Sequence, residues 1–216
     1  MLNYVLDFLF PKVCGICDKI CPDSLCKKCE LKLLKCQTNK VIDYTNDRQK
    51  YFDFHLFLFK YEDIIRKKII DYKFNEKAYL FETFSKIIIN NEKICGNLKS
   101  YDIIIPVPMY KKKENKRGYN QSSLIAKNIA LEIDIEYVDD CLIKITNNQT
   151  QSKLKKAERI SNVKGVYKLN NTQKINNKNV ILFDDIYTTG NTVNECCKLL
   201  KKAGAKKILV LTIAKD

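Results

Sequence analysis

Two groups of residues in this chain have types and spacings that can do chemistry. Cys14-x-x-Cys17 and Cys26-x-x-Cys29 form two chelating turns separated by eight residues. Zinc takes four soft ligands in a tetrahedron, and a CxxC turn points two sulfurs at one ion. Two such turns close the shell with no open position, which makes a structural rather than a catalytic Zn²⁺ site. A competing pattern is Cys21-x4-Cys26-x2-Cys29 with Cys36, the spacing of plant-type iron–sulfur proteins. It leaves Cys14 and Cys17 unused, so zinc is the expectation, with Cys21 and Cys36 as spare thiols. Six of the ten cysteines crowd between Cys14 and Cys36, which reads as a metal site in a reducing, cytoplasmic setting and not as a disulfide scaffold.

The second group lies between Val180 and Ala203. Four apolar residues precede Asp184, Asp185, Ile186, Tyr187, Thr188, Thr189, Gly190, Asn191 and Thr192. A helix follows, with Val193, Cys196, Cys197 and Leu200 on one face and Gly204 at its end. Beyond the carboxyl end of a parallel strand, the next helix offers free N–H groups and partial positive charge to an anion. Gly190 lets the backbone approach closely, and the threonine hydroxyls are neutral donors, so a monoester phosphate fits there. The two carboxylates lie too near that phosphate to be its ligands and suit the hydroxyls of a sugar. The combination describes a ribose 5-phosphate cradle, distinct from a Walker loop or a GxGxxG turn, neither of which occurs. The plain alternative is a T-x-x-E capping box from Thr192 and Glu195, with the acids as turn residues.

The elements that must hold these groups follow from periodicity. Tyr51–Lys60 reads as strand, Glu62–Tyr72 and Ala78–Asn90 as helices, and Asp102–Val107 as a buried strand running into the stiff Pro106/Pro108 segment. A basic loop, Tyr110–Tyr119, precedes a helix over about Gln121–Glu132. Val180–Phe183 is a strand, Thr192–Ala203 a helix and Lys207–Ala214 a further strand. Strands alternating with helices imply an α/β fold with a parallel sheet covered on both faces. The organisation expected is a cysteine-rich head at 1–36, a polar connector at 37–50 and a body at 51–216.

With 216 residues, 45% of them hydrophobic, the chain can bury a core without disulfides. Met1–Phe10, interrupted by Asp7, is too short to span a bilayer and lacks the basic start of a secretory leader. The net charge of +14 invites polyanion binding. Only four basic residues are Arg (Arg48, Arg66, Arg117, Arg159) in a chain rich in Lys, Asn and Ile, so codon bias on solvated faces accounts for the charge equally well. His55, the only histidine, lies in an alternating aromatic strand and reads as structural.

The Asp184–Thr192 segment resembles the phosphoribosyl pyrophosphate signature of type I phosphoribosyltransferases. The resemblance implies that Asp184 and Asp185 contact the ribose hydroxyls and that Thr188, Thr189, Gly190, Asn191 and Thr192 bind the 5-phosphate. It places a pyrophosphate loop at Val107, Pro108, Met109 and Tyr110, with Lys111, Lys112 and Lys113 just beyond.

A narrower resemblance covers almost the whole chain. Pro106, Pro108, Arg117, Gly118, Tyr119, Asn120 and Gln121 look like the PVP…RGFNQ segment of the ComF family. Gln151, Leu154, Arg159, Asn162, Val163 and Tyr167 are similar to its Q..L....R..NV..AF segment, and Phe10–Pro11 before two CxxC pairs resembles its head. Tyr119 and Tyr167 stand where Phe is usual. This resemblance implies a zinc head on a phosphoribosyltransferase-like body that binds phosphoribosyl pyrophosphate with Mg²⁺, has no defined base acceptor, and is associated with DNA uptake in natural competence. Arg117 and Arg159 are candidate phosphate or DNA contacts together with Lys111–Lys113, since guanidinium binds phosphate bidentately. The alternative expectation is a non-catalytic adaptor that uses its basic surface, with Tyr110 and Tyr119, to engage single-stranded DNA or a helicase-like partner.

Overall fold

The computed structural model describes residues 11–147 and 165–216. The Met1–Phe10 stretch and Gln151, Leu154, Arg159, Asn162 and Val163 lie outside the described residues. The body is built on a six-stranded sheet in the order β1-β2-β8-β7-β3-β4, formed by β1 (Lys40–Asp43), β2 (Phe54–Lys60), β3 (Ile103–Pro106), β4 (Glu136–Tyr137), β7 (Asn179–Tyr187) and β8 (Lys207–Lys215). Only the β1–β2 pair is antiparallel. The other four pairings are parallel, so the expected mostly parallel α/β architecture is what the chain adopts. A two-stranded antiparallel hairpin, β5 (Leu142–Lys144) with β6 (Tyr167–Leu169), stands apart from the sheet.

The helices are α1 (Lys27–Leu34), α2 (Asp63–Phe74), α3 (Leu80–Ile89), α4 (Glu92–Leu98), α5 (Lys111–Arg117), α6 (Gln121–Ile133) and α7 (Asn191–Lys202). The strand interiors are apolar on both sides because helices cover both faces. On one face Ile104, Ile181, Phe183, Leu209 and Leu211 pack with α2, α3 and α6. On the other, Ile103, Ile105, Val180, Leu182 and Val210 pack with α7 and the β5–β6 hairpin. Odd and even positions of β7 thus serve different layers, as the two-residue period of a strand requires.

Three local expectations are revised. The basic segment after β3 is the short helix α5, not a loop; it ends where Gly118 takes φ +89°, a left-handed stop that costs glycine nothing. Strand β7 runs on past Phe183 through both acids to Tyr187, because its ladder with β8 persists to the Tyr187–Lys215 pair. Gly190 is the residue that caps α7, so Thr192 lies inside the first turn and the T-x-x-E capping box does not form. In addition, residues 40–43 of the polar segment after the head pair with β2 as an edge strand.

The head does not stand off from the body. Cys14, Ile16, Leu25, Cys29 and Leu33 belong to the same buried cluster as Ile65, Ile69, Leu80 and Phe84 of α2 and α3. Gly15 lies so close to Leu80 and Thr83 that a β-carbon there has no room. Thr83 Oγ1 donates to the Ser24 carbonyl at 2.8 Å. No helix among the described residues is long and apolar enough to cross a membrane.

Candidate functional site

A cleft of about 710 Å³ opens at the carboxyl ends of β3 and β7. Asp184, Asp185, Thr188, Gly190 and Thr192 line it from the β7–α7 corner; Val107, Pro108 and Met109 line it from the segment after β3. Lys113 and Arg117 of α5 complete one wall. Residues expected from three separate stretches of sequence are therefore brought to one opening. Thr189 and Asn191 do not line it, and Thr189 Oγ1 is buried without a hydrogen-bond partner. Lys111 and Lys112 are exposed on α5, outside the cleft; Lys111 pairs with Glu114 at 3.5 Å. Arg159 lies outside the described residues.

The two acids differ in surroundings because they sit on successive positions of a strand. Asp185 faces the layer of α2 and forms an ion pair with Lys73 at 2.8 Å. Asp184 accepts from Ser122 Oγ at 3.2 Å and from the Asp185 N–H at 2.9 Å. Burial, then the negative charge of Asp185, push the Asp184 carboxyl up to about 7, against the opposing pull of Lys73, the Asp185 N–H and Ser122. At the strand end the sheet no longer separates the two faces, so both carboxylates reach the same cleft.

The segment after β3 is fixed by the start of α6. The Asn120 side chain donates from Nδ2 to the Val107 carbonyl at 3.1 Å and accepts from the Ser122 N–H at 3.1 Å, capping the helix while tethering the loop. Tyr119 is committed to packing: its ring stacks on Tyr72 with centroids 5.6 Å apart, and its hydroxyl donates to the Tyr72 carbonyl at 2.6 Å. The ring also lines the cleft, and the hydroxyl bond is one that Phe would lack. Gly190, with φ +73°, lies against the Tyr187 ring so closely that any β-carbon would collide with it.

Lys73, Ser122 and Lys144 line the same cleft and were not singled out by sequence reasoning. Lys73 follows the last buried position of its helix, Tyr72, and is one lysine in a lysine-rich chain. Lys144, over the Tyr167 ring at 5.4 Å, comes from a three-residue strand too short for periodicity to mark. His55 is buried, bonded through Nε2 to Thr212 Oγ1 at 3.0 Å and stacked on Tyr187; burial pushes its imidazole down to about 3, so it stays neutral in the core.

In the head, the sulfurs of Cys14, Cys17, Cys26 and Cys29 all lie within 4.8 Å of one another. Four thiolates about 2.3 Å from one Zn²⁺ would be spaced like this, so the residues fit that ion, and four protein ligands leave no position for substrate. Cys21 and Cys36 fall outside the cluster, which counts against the iron–sulfur alternative. Burial opposes ionisation of Cys14, yet N–H groups of Cys26, Cys17 and Ile16 outweigh it and bring the thiol down to about 6. All ten cysteines are free.

A phosphoribosyl transferase domain model matches residues 120–216. Competence protein F of Haemophilus influenzae is 30% identical over 148 residues, 67% of this chain and 65% of that protein, so the match spans just under two thirds of that relative. Competence protein ComFC of Bacillus subtilis is 26% identical over 208 residues, 94% of this chain and 78% of that protein. Among solved structures, a purine phosphoribosyltransferase from Pyrococcus horikoshii is 15% identical with a TM-score of 0.41, covering 65% of this chain and 85% of that one. A likeness of that size carries no argument about activity.

Proposed function

Since the chain belongs to the ComF family, with a type I phosphoribosyltransferase-like α/β body behind a four-cysteine head that fits a small zinc module, we propose that its cleft binds phosphoribosyl pyrophosphate with Mg²⁺. The observation that carries this reading is the convergence of the Asp184–Thr192 corner and the Val107–Met109 segment on one opening lined by Lys73, Lys113 and Arg117. Thr188, Gly190 and Thr192, at the start of α7, take the 5-phosphate. Thr189 and Asn191 hold the turn that presents them. Asp185, with one oxygen on Lys73, and Asp184 accept from the ribose hydroxyls. Val107, Pro108 and Met109 border the space left for the diphosphate, and Lys113 and Arg117 supply positive charge there. Mg²⁺ bound with the substrate would supply further positive charge to the diphosphate beside Lys113 and Arg117. The head holds Zn²⁺ through Cys14, Cys17, Cys26 and Cys29, and ten cysteines outside any disulfide suit a cytoplasmic protein. The units carrying these roles are the head at 1–36, the 37–50 segment and the body at 51–216.

Titration calorimetry with Mg²⁺ and phosphoribosyl pyrophosphate tests the proposal. The wild-type chain is expected to bind, and the Asp184→Asn/Asp185→Asn variant to bind at least about tenfold more weakly, the loss of one or two charge-assisted hydrogen bonds. Silence from the wild type, or equal affinity in the variant, refutes it.

A second reading, contact with single-stranded DNA in competence, is favoured by one observation: α5 buries none of its residues and exposes Lys111 and Lys112 beside the cleft and Lys116 on its lining. Replacing these three with Gln should flatten the dependence of log affinity on log salt by about two, at roughly 0.7 per phosphate contact. An unchanged slope removes these lysines from any DNA contact.

A further inference from the structure

The ion pair between Lys73 and Asp185 has a counterpart at the other side of the same helix. Lys68, one and a half turns earlier on α2, is only 2% exposed, and its ammonium meets both oxygens of Asp18 at 2.9 and 3.1 Å. Asp18 directly follows the first CxxC turn, takes φ +57°, and donates its N–H to the Cys14 carbonyl at 2.8 Å. Tyr79 Oη donates to the same carboxylate at 3.3 Å. Between the two lysines Tyr72 is fully buried and bonds through its hydroxyl to the Gln121 carbonyl at 2.9 Å. One end of the contact chain therefore rests on the metal-binding turn and the other on the acid pair, with a packed helix between them.

Resting on the sugar-phosphate reading above, we infer that Lys73 is a positioning residue for the ribose diol, holding Asp185 in place, and that the cysteine head fixes Lys73 through α2 by the Asp18–Lys68 contact. The carboxylate of Asp185 is 8% exposed, so its orientation is set by what it touches inside the cleft. With Lys73 on Oδ1, the second oxygen is left to accept a hydroxyl. Without that cation, two adjacent carboxylates repel, and Asp185 turns toward solvent. The 5-phosphate of that reading is taken further along the same β7–α7 corner, by Thr188, Gly190 and Thr192, and not by Asp185.

The distinction is measurable by comparing ribose 5-phosphate, 2-deoxyribose 5-phosphate and inorganic phosphate as probes on the full chain with zinc bound. Wild-type protein is expected to prefer ribose 5-phosphate over the deoxy analogue by about tenfold, one charge-assisted hydrogen bond. Lys73→Met should bring that ratio near one, and Lys73→Arg should restore most of it. The paired variant Asp18→Asn/Lys68→Met, which leaves no lone buried charge, should keep one zinc per chain yet lower the ratio severalfold; Asp18→Asn/Lys68→Gln serves if that pair fails to fold. A Lys73→Met protein that keeps the wild-type ratio, or an Arg variant no better than Met, overturns the role of Lys73. Head variants with an unchanged ratio overturn the link through α2. Wild-type protein that binds none of the three probes sinks the sugar-phosphate reading and this inference together.

Discussion

Removing the metal from the cysteine head, by chelation or by Cys29→Ser, is expected to lower the thermal midpoint by about 10 °C or more, the equivalent of about 4 kcal/mol at roughly 2–4 °C per kcal/mol. The reason lies in where the head is packed. Its buried apolar groups, Ile16, Leu25 and Leu33, are few, and a segment this small cannot fold on such burial alone. They form part of the core that includes α2 and α3, so a head that opens exposes the body as well. It also strands Lys68, whose ammonium, in a side chain only 2% exposed, is bonded to the half-exposed Asp18, and a buried charge that loses its partner adds to the cost. Calorimetry with and without chelator, alongside a zinc assay, checks the expectation. One zinc per chain with an identical melt after chelation would show that the head is not held by its metal.

The elements that were legible in the sequence are those whose signal is local. Each CxxC turn brings its own two sulfurs together because a turn of that length leaves them little choice, and the bond from the Gly15 N–H to the Ser24 carbonyl sets the two turns side by side. The apolar run before Asp184 and the periodic face of α7 gave both strand and helix, and Gly190 marked the bend between them. What could not be read depended on partners distant in sequence. Strand β7 continues through two acids, against their low strand propensity, because β8 is alongside to pair with it. The segment at 40–43 becomes a strand only because β2 offers an open edge. Lysines 111–113 looked like a solvated loop because charge says nothing about period, and the stop at Gly118 was the available clue to α5. Lys73 is the instructive omission, since what marks it is its ion pair with Asp185, 112 positions later, on a strand that α2 packs against.

Asp184→Asn should make the protein more stable, by up to about 4 kcal/mol at pH 8, even as it weakens ligand binding. The native carboxyl is raised to about 7, by burial first and by the neighbouring Asp185 charge second, while an unfolded Asp titrates near 3.8. Between those two values the folded chain binds more protons than the unfolded one, so stability falls as pH rises from about 4 to about 7. Above that window the full cost of holding the ionised group in the fold is present; below it, the group is protonated in both states and the cost is gone. Asparagine carries no charge at any pH and its carbonyl still accepts from Ser122 and from the Asp185 N–H, so the variant keeps the contacts and sheds the penalty. Urea midpoints of the two proteins at pH 4, 6 and 8 should therefore diverge progressively, from near coincidence at the acid end to the largest gap at pH 8. A constant difference across the three values, or a gap that widens toward acid, would mean that Asp184 is not held against its ionisation. The opposed signs, stability gained and ligand lost, are what a carboxylate kept in an unfavourable place for binding should show.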